Sequence, residues 1–329
     1  MVTKVLAVDV GYGFTKWCRR KNNSISKGII PSIVVPELES DLNGISVDNM
    51  KLRLIKTSSG QMRCGSDIHL ITYQRGIGKT LSKEYPISDE YETLIKCAIL
   101  ESETKDIEKL VLGLPVALMH LSEKLKTKFT GCIEIGDFRH RVSEVLVLPQ
   151  PLGSFVQFKY AKPELYKQLN ENSSSLLLVD VGFGTTDYIT IADEQVLPRR
   201  SGGTHIGMGE VLKFMAERIR AIYSGDAIQD LELIDKKLRS GRPLFHNQHT
   251  IPYQELLGIA NSFNFGPVIK SIEETIATFN DIGCVALTGG GAKYIEPQFK
   301  KKYSQLSFLS MPENNFANTL GFLFLTESL

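Results

Sequence analysis

The sequence lacks a large charge of either sign. Its 329 residues include 38 Lys and Arg and 37 Asp and Glu, which gives a formal net charge of +1. A chain this close to neutral has no global field that would attract nucleic acid or an anionic membrane surface. We therefore expect neither direct nucleic-acid binding nor membrane binding. Near-neutrality also does little to oppose self-association.

Cysteine motifs and long apolar runs are missing as well. The five cysteines show no Cys-x-x-Cys spacing and are odd in number, which favours reduced thiols packed as small apolar residues over a disulfide framework. No apolar run reaches the roughly 20 residues of a membrane span. A strand pattern begins within a few residues of Met1, so we expect no signal peptide. Together these absences predict a cytoplasmic location.

The sequence does contain one glycine turn twice. Asp180-Val-Gly-Phe-Gly-Thr-Thr-Asp187 follows an apolar run and precedes a β-rich run, which predicts strand, turn and strand. Asp9-Val-Gly-Tyr-Gly-Phe-Thr-Lys16 repeats the pattern 171 residues earlier (180 minus 9). One such turn alone is more often a plain hairpin. Two copies, each opening about half of the chain, instead predict a duplicated fold with two phosphate-binding turns that face each other across a cleft.

The residue types of both turns suit a phosphate and a divalent cation. Glycines place no side chain between backbone N–H groups and an anion, and threonine hydroxyls add donors. A carboxylate at the end of each preceding strand, Asp9 or Asp180, can reach a hydrated cation. Asp187 is either a further polar partner in the site or a turn cap. The candidate turn residues are Gly11, Tyr12, Gly13, Phe14, Thr15, Gly182, Phe183, Gly184, Thr185, Thr186 and Asp187.

Helical patterns account for much of the remaining chain. Apolar periodicity predicts helices over residues 89–102, 120–129, 154–159, 210–223, 266–279 and 316–325, with two more within 224–262. Gln150 lies just before one of these helices, in Pro-Gln-Pro-Leu-Gly153. A buried strand at 284–288 runs directly into Gly289-Gly290-Gly291. The irregular region 34–81 is interpreted as a small variable insert.

Taken in order, these motifs resemble the actin-like ATPase superfamily. That family has a first phosphate motif, a connecting helix (here 148–155), a second phosphate motif, an adenosine motif (here 285–293) and a second connecting helix (here Ala317-Asn-Thr-Leu-Gly321). The resemblance covers essentially the whole chain. It is strongest toward the plasmid-segregation actins of the ParM/StbA type, and the chain is also similar to the short archaeal actin homologue.

The resemblance implies an actin-like, ribonuclease H-like duplicated α/β fold with nucleotide in the cleft between two halves. The halves would be residues 1–150 and 151–329, each with a smaller subdomain. The insert at 34–81 belongs to the first half and a subdomain at about 203–262 to the second. The C-terminal helix, about 316–329, would pack back on the first half.

The resemblance also implies a site for ATP and Mg²⁺. Phosphoryl transfer depends on positioning and charge neutralisation, so Asp9 and Asp180 would hold the water shell of the metal and Gln150 would orient the attacking water. Lys16 falls where the family places a basic residue against the phosphates. The remaining implied nucleotide contacts are Gly207, Glu210 and Lys213 toward the ribose and Gly289, Gly290 and Gly291 toward the nucleoside. For Glu210 and Lys213 an exposed helix face is equally open.

The implied function is a filament-forming ATPase that acts in plasmid or DNA segregation through a DNA-bound adaptor protein. The alternative is a sugar- or acetate-type kinase of the same fold. A kinase needs a catalytic Asp aimed at an acceptor hydroxyl, and the sequence offers no clear candidate. A chaperone ATPase is disfavoured because no peptide-binding β domain follows residue 329.

Overall fold

The computed structural model describes residues 2–22, 24–37, 50–72, 84–226 and 228–327. Its strands are β1 (Val2–Val10), β2 (Phe14–Lys21), β3 (Ser24–Pro31), β4 (Val35–Pro36), β5 (Arg53–Thr57), β6 (Gly60–Cys64), β7 (Asp106–Leu114), β8 (Gly131–Ile135), β9 (Phe138–Pro149), β10 (Ser175–Val181), β11 (Thr186–Ala192), β12 (Gln195–Val196), β13 (Gly202–Thr204), β14 (Leu244–His246), β15 (His249–Ile251), β16 (Ile282–Thr288) and β17 (Phe308–Ser310). Its helices are α1 (His69–Thr72), α2 (Asp89–Glu101), α3 (Ser122–Phe129), α4 (Gln150–Ala161), α5 (Pro163–Glu171), α6 (Met208–Tyr223), α7 (Leu231–Ser240), α8 (Tyr253–Asn261), α9 (Gly266–Ile276), α10 (Ala292–Lys302) and α11 (Ala317–Glu327).

The chain divides into two compact units. Unit 1 comprises Met1–Pro163 and Phe316–Leu329, and unit 2 comprises Glu164–Asn315. The boundary therefore lies after α4 and not at residue 150, where the sequence-based division had placed it. The physical reason is that α4 packs against α11, and α11 packs against β1, so all three elements share one core.

The two units contain sheets of the same design. The sheet of unit 1 has the order β3-β2-β1-β7-β9-β8, and that of unit 2 the order β12-β11-β10-β16-β17. In each sheet the third, fourth and fifth strands are parallel, and the first two pair antiparallel. The first five strands thus match in order and direction. This match confirms the predicted α/β class and the duplication.

The alternation of side chains along β1 decides which face Asp9 occupies. Successive side chains of a strand point to opposite faces. Leu6 and Val8 pack in the core beneath α2 and α3, whereas Val5 and Ala7 pack in a second core with residues of α11. Asp9 follows Val5 and Ala7 at the same two-residue spacing. It therefore lies on the face that α11 covers.

Several elements differ from the sequence-based expectations. The helix expected over 154–159 begins at Gln150, because proline is tolerated in the first turn, where its missing N–H has no intrahelical partner. The segment 116–121 forms a 3₁₀ helix, and α3 begins only at Ser122. Between α7 and α8 the chain forms the hairpin β14–β15, which was not predicted, nor were α5 and α10.

The region interpreted as an insert contains a small sheet. Strands β4, β6 and β5 pair in that order, and residues 38–49 and 73–81 lie outside the described part of the chain. Of the five cysteines, Cys132 is exposed and the other four are buried. None of the helices in the described part of the chain is long and apolar enough to cross a membrane.

Candidate functional site

The two glycine turns are closed by the same backbone hydrogen bond. The N–H of Gly11 donates to Phe14 O at 3.1 Å, and the N–H of Gly182 donates to Thr185 O at 2.9 Å. Because these two N–H groups close the turns themselves, an anion would have to be bound by other donors. The expected phosphate contact of the turn backbone therefore falls to its other N–H groups and stays a prediction. The same hydrogen bond therefore shapes the turn in both units.

Turn 1, which we define as residues 9–16, is anchored by Ser32 at the end of β3. Ser32 Oγ donates to Gly11 O at 2.7 Å, and Ser32 N donates to Gly13 O at 2.9 Å. Thr15 Oγ1 lies 2.9 Å from Ser32 Oγ and acts as the donor, since the Ser32 hydroxyl already donates to Gly11. The Thr15 side chain, fully buried, therefore supports the turn from within.

Turn 2, which we define as residues 180–187, is anchored by the segment that opens α6. The N–H of Met208 donates to Gly182 O at 3.0 Å, and the N–H of Gly209 donates to Phe183 O at 2.8 Å. A Cβ at Gly207 would lie 2.6 Å from Phe183 O, so only glycine lets this segment lie against the turn. The positive end of the 16-residue helix α6 is thus tied to turn 2, an arrangement that favours an anion.

The structure brings Gln150 directly to Asp9. Asp9 is only 2% exposed, and Gln150 Nε2 donates to its Oδ1 at 2.7 Å. Asn318 Nδ2 donates to the other carboxylate oxygen, Oδ2, at 3.3 Å. Tyr91 lies nearby, and its pKa is raised by burial and, to a smaller extent, by the charge of Asp9. The Asp9 carboxylate is therefore held between two amide donors.

The eighth residue of each turn lies across the strand pair from the first. Lys16 is opposite Asp9 in turn 1, and Asp187 is opposite Asp180 in turn 2. Thr185 Oγ1 donates to Asp187 Oδ2 at 2.8 Å, as a turn cap would. Partial loss of water around the carboxylate raises the pKa of Asp187, although the residue as a whole is exposed. The hydrogen bond from Thr185 and the charge of His205 lower this pKa and so oppose the shift.

The three glycines after β16 serve the packing of unit 2. A Cβ at Gly289, where φ is +83°, would clash with Asp180 Oδ1, and a Cβ at Gly291 would clash with Val181. At Gly290 the nearest atom would be Asn315 Oδ1, at an ordinary 3.5 Å. Two of the three glycines are thus required by the end of β10. Their approach to a nucleoside stays a prediction.

Glu210 and Lys213 lie on the exposed face of α6 and pair with each other. Lys213 Nζ is 2.7 Å from Glu210 Oε1, with 62% and 44% of the two side chains exposed. A surface pair of this kind contributes little to stability. A contact of either residue with a ribose stays a prediction.

The carboxylates fit a hydrated Mg²⁺. In the described ranges, no group of three or more His, Cys, Asp or Glu could hold a metal ion. Mg²⁺ keeps several waters and needs only one or two carboxylates beside phosphate oxygens. Asp9 and Asp180 supply one carboxylate in each unit. Each carboxylate, taken within its own unit, therefore fits an ion bound largely through water in company with a phosphate ligand.

Two family models match the chain. One describes the N-terminal domain of actin-like proteins and matches residues 7–153, and the other describes the C-terminal domain of the archaeal MreB-like actin homologue and matches residues 178–301. Each matched part of the chain is thus similar to a domain of actin-like proteins. A search of curated protein sequences finds no match to it.

Solved structures share the fold of this actin-like chain. The archaeal actin homologue Ta0583 superposes with a TM-score of 0.73 at 20% identity, over 99% of this chain and 100% of its own. Its ADP complex gives 0.73 at 18% identity, over 99% and 100%. A 15-stranded ParM filament from Clostridium botulinum gives 0.71 at 19% identity, over 100% of both chains. At these identities the likeness establishes the fold alone.

Sequence reasoning missed Asn318 and Ser32 as partners of the actin-like turns. Asn318 lies in the stretch Ala317–Gly321, but its contact with Asp9 spans 309 residues. Ser32 directly follows β3 and contacts turn 1 across 17 to 21 residues. A polar residue in the first turn of an apolar helix is the one signal that could have drawn attention to Asn318.

Proposed function

We propose that this actin-like chain binds ATP with Mg²⁺, hydrolyses the ATP and assembles into filaments. The proposal rests on two turns that are closed by the same hydrogen bond and that each begin with an aspartate. It rests equally on the contact of Gln150 with Asp9. A plain hairpin needs neither a buried carboxylate nor a glutamine amide directed at it.

Two residues of turn 1 and the adjacent Gln150 then have definite tasks. Asp9 would accept hydrogen bonds from the waters of a bound Mg²⁺, and Lys16 would offset phosphate charge. Gln150 donates through Nε2 to Asp9, and its Oε1 accepts no hydrogen bond from the described residues, so that it can accept one from the attacking water. Bound Mg²⁺ would neutralise charge that develops on the phosphates. Turn 2 contributes Asp180 in the same way.

Filament formation is the second part of the proposal. Among the structures of the same fold are filaments of ParM, of AlfA from B. subtilis and of Alp12. Head-to-tail contacts between identical subunits build open helices when the rotation does not close. The near-zero net charge does not oppose such contacts. We propose a role in plasmid or DNA segregation in the cytoplasm, through a DNA-bound adaptor protein.

The test combines light scattering with phosphate release. We expect scattering to rise when ATP and Mg²⁺ are added above a critical concentration and to fall as ATP is consumed. ADP and ATP with EDTA are the controls, and electron microscopy identifies filaments. A chain that stays monomeric in sedimentation with ATP, GTP or a non-hydrolysable analogue would refute the filament. Phosphate transfer to a sugar or to acetate in a coupled assay would favour the kinase instead.

A further inference from the structure

Helices α4 and α11 cross in direct backbone contact within unit 1. A Cβ at Gly321 would clash with Gly153 O, and a Cβ at Gly153 would clash with the backbone of Asn318. Only glycine at both positions permits this approach. As a result, Ser154 on α4 and Asn318 on α11 meet at the crossing.

A chain of hydrogen bonds runs from this crossing to Asp9. Ser154 Oγ donates to Asn318 Oδ1 at 2.6 Å, and Asn318 Nδ2 donates to Asp9 Oδ2 at 3.3 Å. Gln150 Nε2 donates to Asp9 Oδ1 at 2.7 Å. The Asp9 carboxylate, which can only accept, sets the orientation of the Asn318 amide, because a flipped amide would direct its oxygen at the carboxylate; Ser154 Oγ then donates to the amide oxygen and holds the side chain in place.

The polar side chains near Asn318 on the same helix serve the helix itself. Thr319 Oγ1 donates to Phe316 O, and Thr326 Oγ1 donates to Phe322 O. Asn318 differs because both ends of its amide bond to other elements, α4 and β1. It is 9% exposed, so bulk water cannot readily replace either bond. A role in the helix alone does not explain this geometry.

We propose that Asn318 is a positioning residue that fixes the plane of the Asp9 carboxylate for its task toward hydrated Mg²⁺. The inference rests on the proposed function. A carboxylate with one donor can rotate about Cβ–Cγ, since this torsion is broad. Donors on both oxygens, Gln150 on one and Asn318 on the other, hold the plane. Such outer partners of a metal site commonly change metal affinity or activity about 10- to 100-fold when they are lost.

The experiment measures how much Mg²⁺ the Asn318→Ala variant requires. We expect the Mg²⁺ concentration for half-maximal hydrolysis to rise about tenfold or more. Binding of a fluorescent ATP analogue is measured in parallel, with Mg²⁺ and with EDTA. The Mg²⁺-dependent gain in affinity should shrink about tenfold, while affinity in EDTA changes less than about twofold. Ser154→Ala should give a smaller shift in the same direction, because the Asn318 amide loses the second bond that holds it in place but keeps its bond to Asp9.

Thr326→Val is the matched control. It removes one buried hydroxyl from the same helix without touching Asp9, and its Mg²⁺ requirement should equal that of the wild-type chain. If Asn318→Ala does not fold, the Ser154→Ala result decides. An unchanged Mg²⁺ requirement in the folded variant, beside a wild-type chain that does require Mg²⁺, overturns this inference alone. A wild-type chain that binds no nucleotide overturns the proposed function and this inference with it.

Discussion

Turn 1 and turn 2 have the same backbone and different surroundings. In both, the first glycine donates to the carbonyl three residues on. Turn 1 is held by the side chain and backbone of a single residue, Ser32, whereas turn 2 is held by backbone N–H groups at the start of α6. The duplicated fold therefore conserves the hydrogen bond that shapes the turn. The means of anchoring it is different in each unit.

The two aspartates also differ in their environment. Asp9 is buried on the α11 side of β1 between two amide donors, while Asp180 is half-buried, with its Oδ1 next to Gly289. The residue opposite is Lys16 in the first case and Asp187 in the second. Turn 1 thus has an internal counter-charge and turn 2 has a second carboxylate. This contrast gives the two turns different expected responses to mutation.

Replacing each aspartate should produce the largest effects. We expect Asp180→Ala and Asp9→Ala each to lower Mg²⁺-dependent hydrolysis by about 10²-fold or more, the usual cost of one such electrostatic contact. Asp9→Ala should also lower the free energy of unfolding by about 1–3 kcal/mol, because it leaves the Gln150 and Asn318 amides without their acceptor. Asp180→Ala should lower it less. Phosphate release and chemical denaturation measure the two effects.

Asp137→Ala is the control for both variants, because Asp137 is exposed at the tip of the β8–β9 hairpin. It should change neither hydrolysis nor stability. Hydrolysis at the wild-type rate in Asp180→Ala would refute the assignment of turn 2. Equal losses of unfolding free energy in the two aspartate variants would show that the burial of Asp9 has no energetic consequence.

The sequence predicted these turns because their signal is local. Each is a short run in which apolar residues, glycines and aspartate have fixed spacing. The hairpin β14–β15 has no such signal, since its turn residues Asn247 and Gln248 adopt positive φ without any glycine. In α10 the interior Pro297 argued against a helix. The partner of Asp9 on α11 depends on a helix crossing between segments far apart in sequence, which local patterns do not contain.

Replacing Gln150 should have an intermediate effect that is specific to turn 1. If its Oε1 orients the attacking water, Gln150→Ala should slow hydrolysis by up to about 10²-fold, as a misplaced reactant does. Nucleotide affinity in EDTA should stay nearly intact, since the water contact belongs to the transition state. The Mg²⁺-dependent gain in affinity should shrink, because Asp9 also loses the Gln150 donor. Single-turnover hydrolysis and equilibrium binding separate the two quantities. A large loss of affinity with unchanged turnover would make Gln150 a binding residue instead.

The smallest effects should come from the charges opposite the aspartates, and they should have opposite signs in the two turns. Like charges directly opposite on neighbouring strands destabilise a sheet and opposite charges stabilise it, by about 0.2–1 kcal/mol. Without nucleotide or Mg²⁺, Asp187→Asn should therefore raise the free energy of unfolding, and Lys16→Met should lower it. Asp187→Asn keeps an acceptor for Thr185, so the change isolates the charge.

Chemical denaturation at low and high salt tests this contrast. Both shifts should shrink in about 1 M salt, where screening acts over roughly 3 Å. With Mg²⁺ present, the stabilisation by Asp187→Asn should also shrink, because the cation offsets the paired carboxylates in the unmodified chain. The two variants could instead change the free energy of unfolding in the same direction, or by amounts that salt leaves unchanged. Either result would mean that packing, and not charge, causes the difference between Lys16 and Asp187. The opposite charges of Lys16 and Asp187 would then not account for the difference between the two turns.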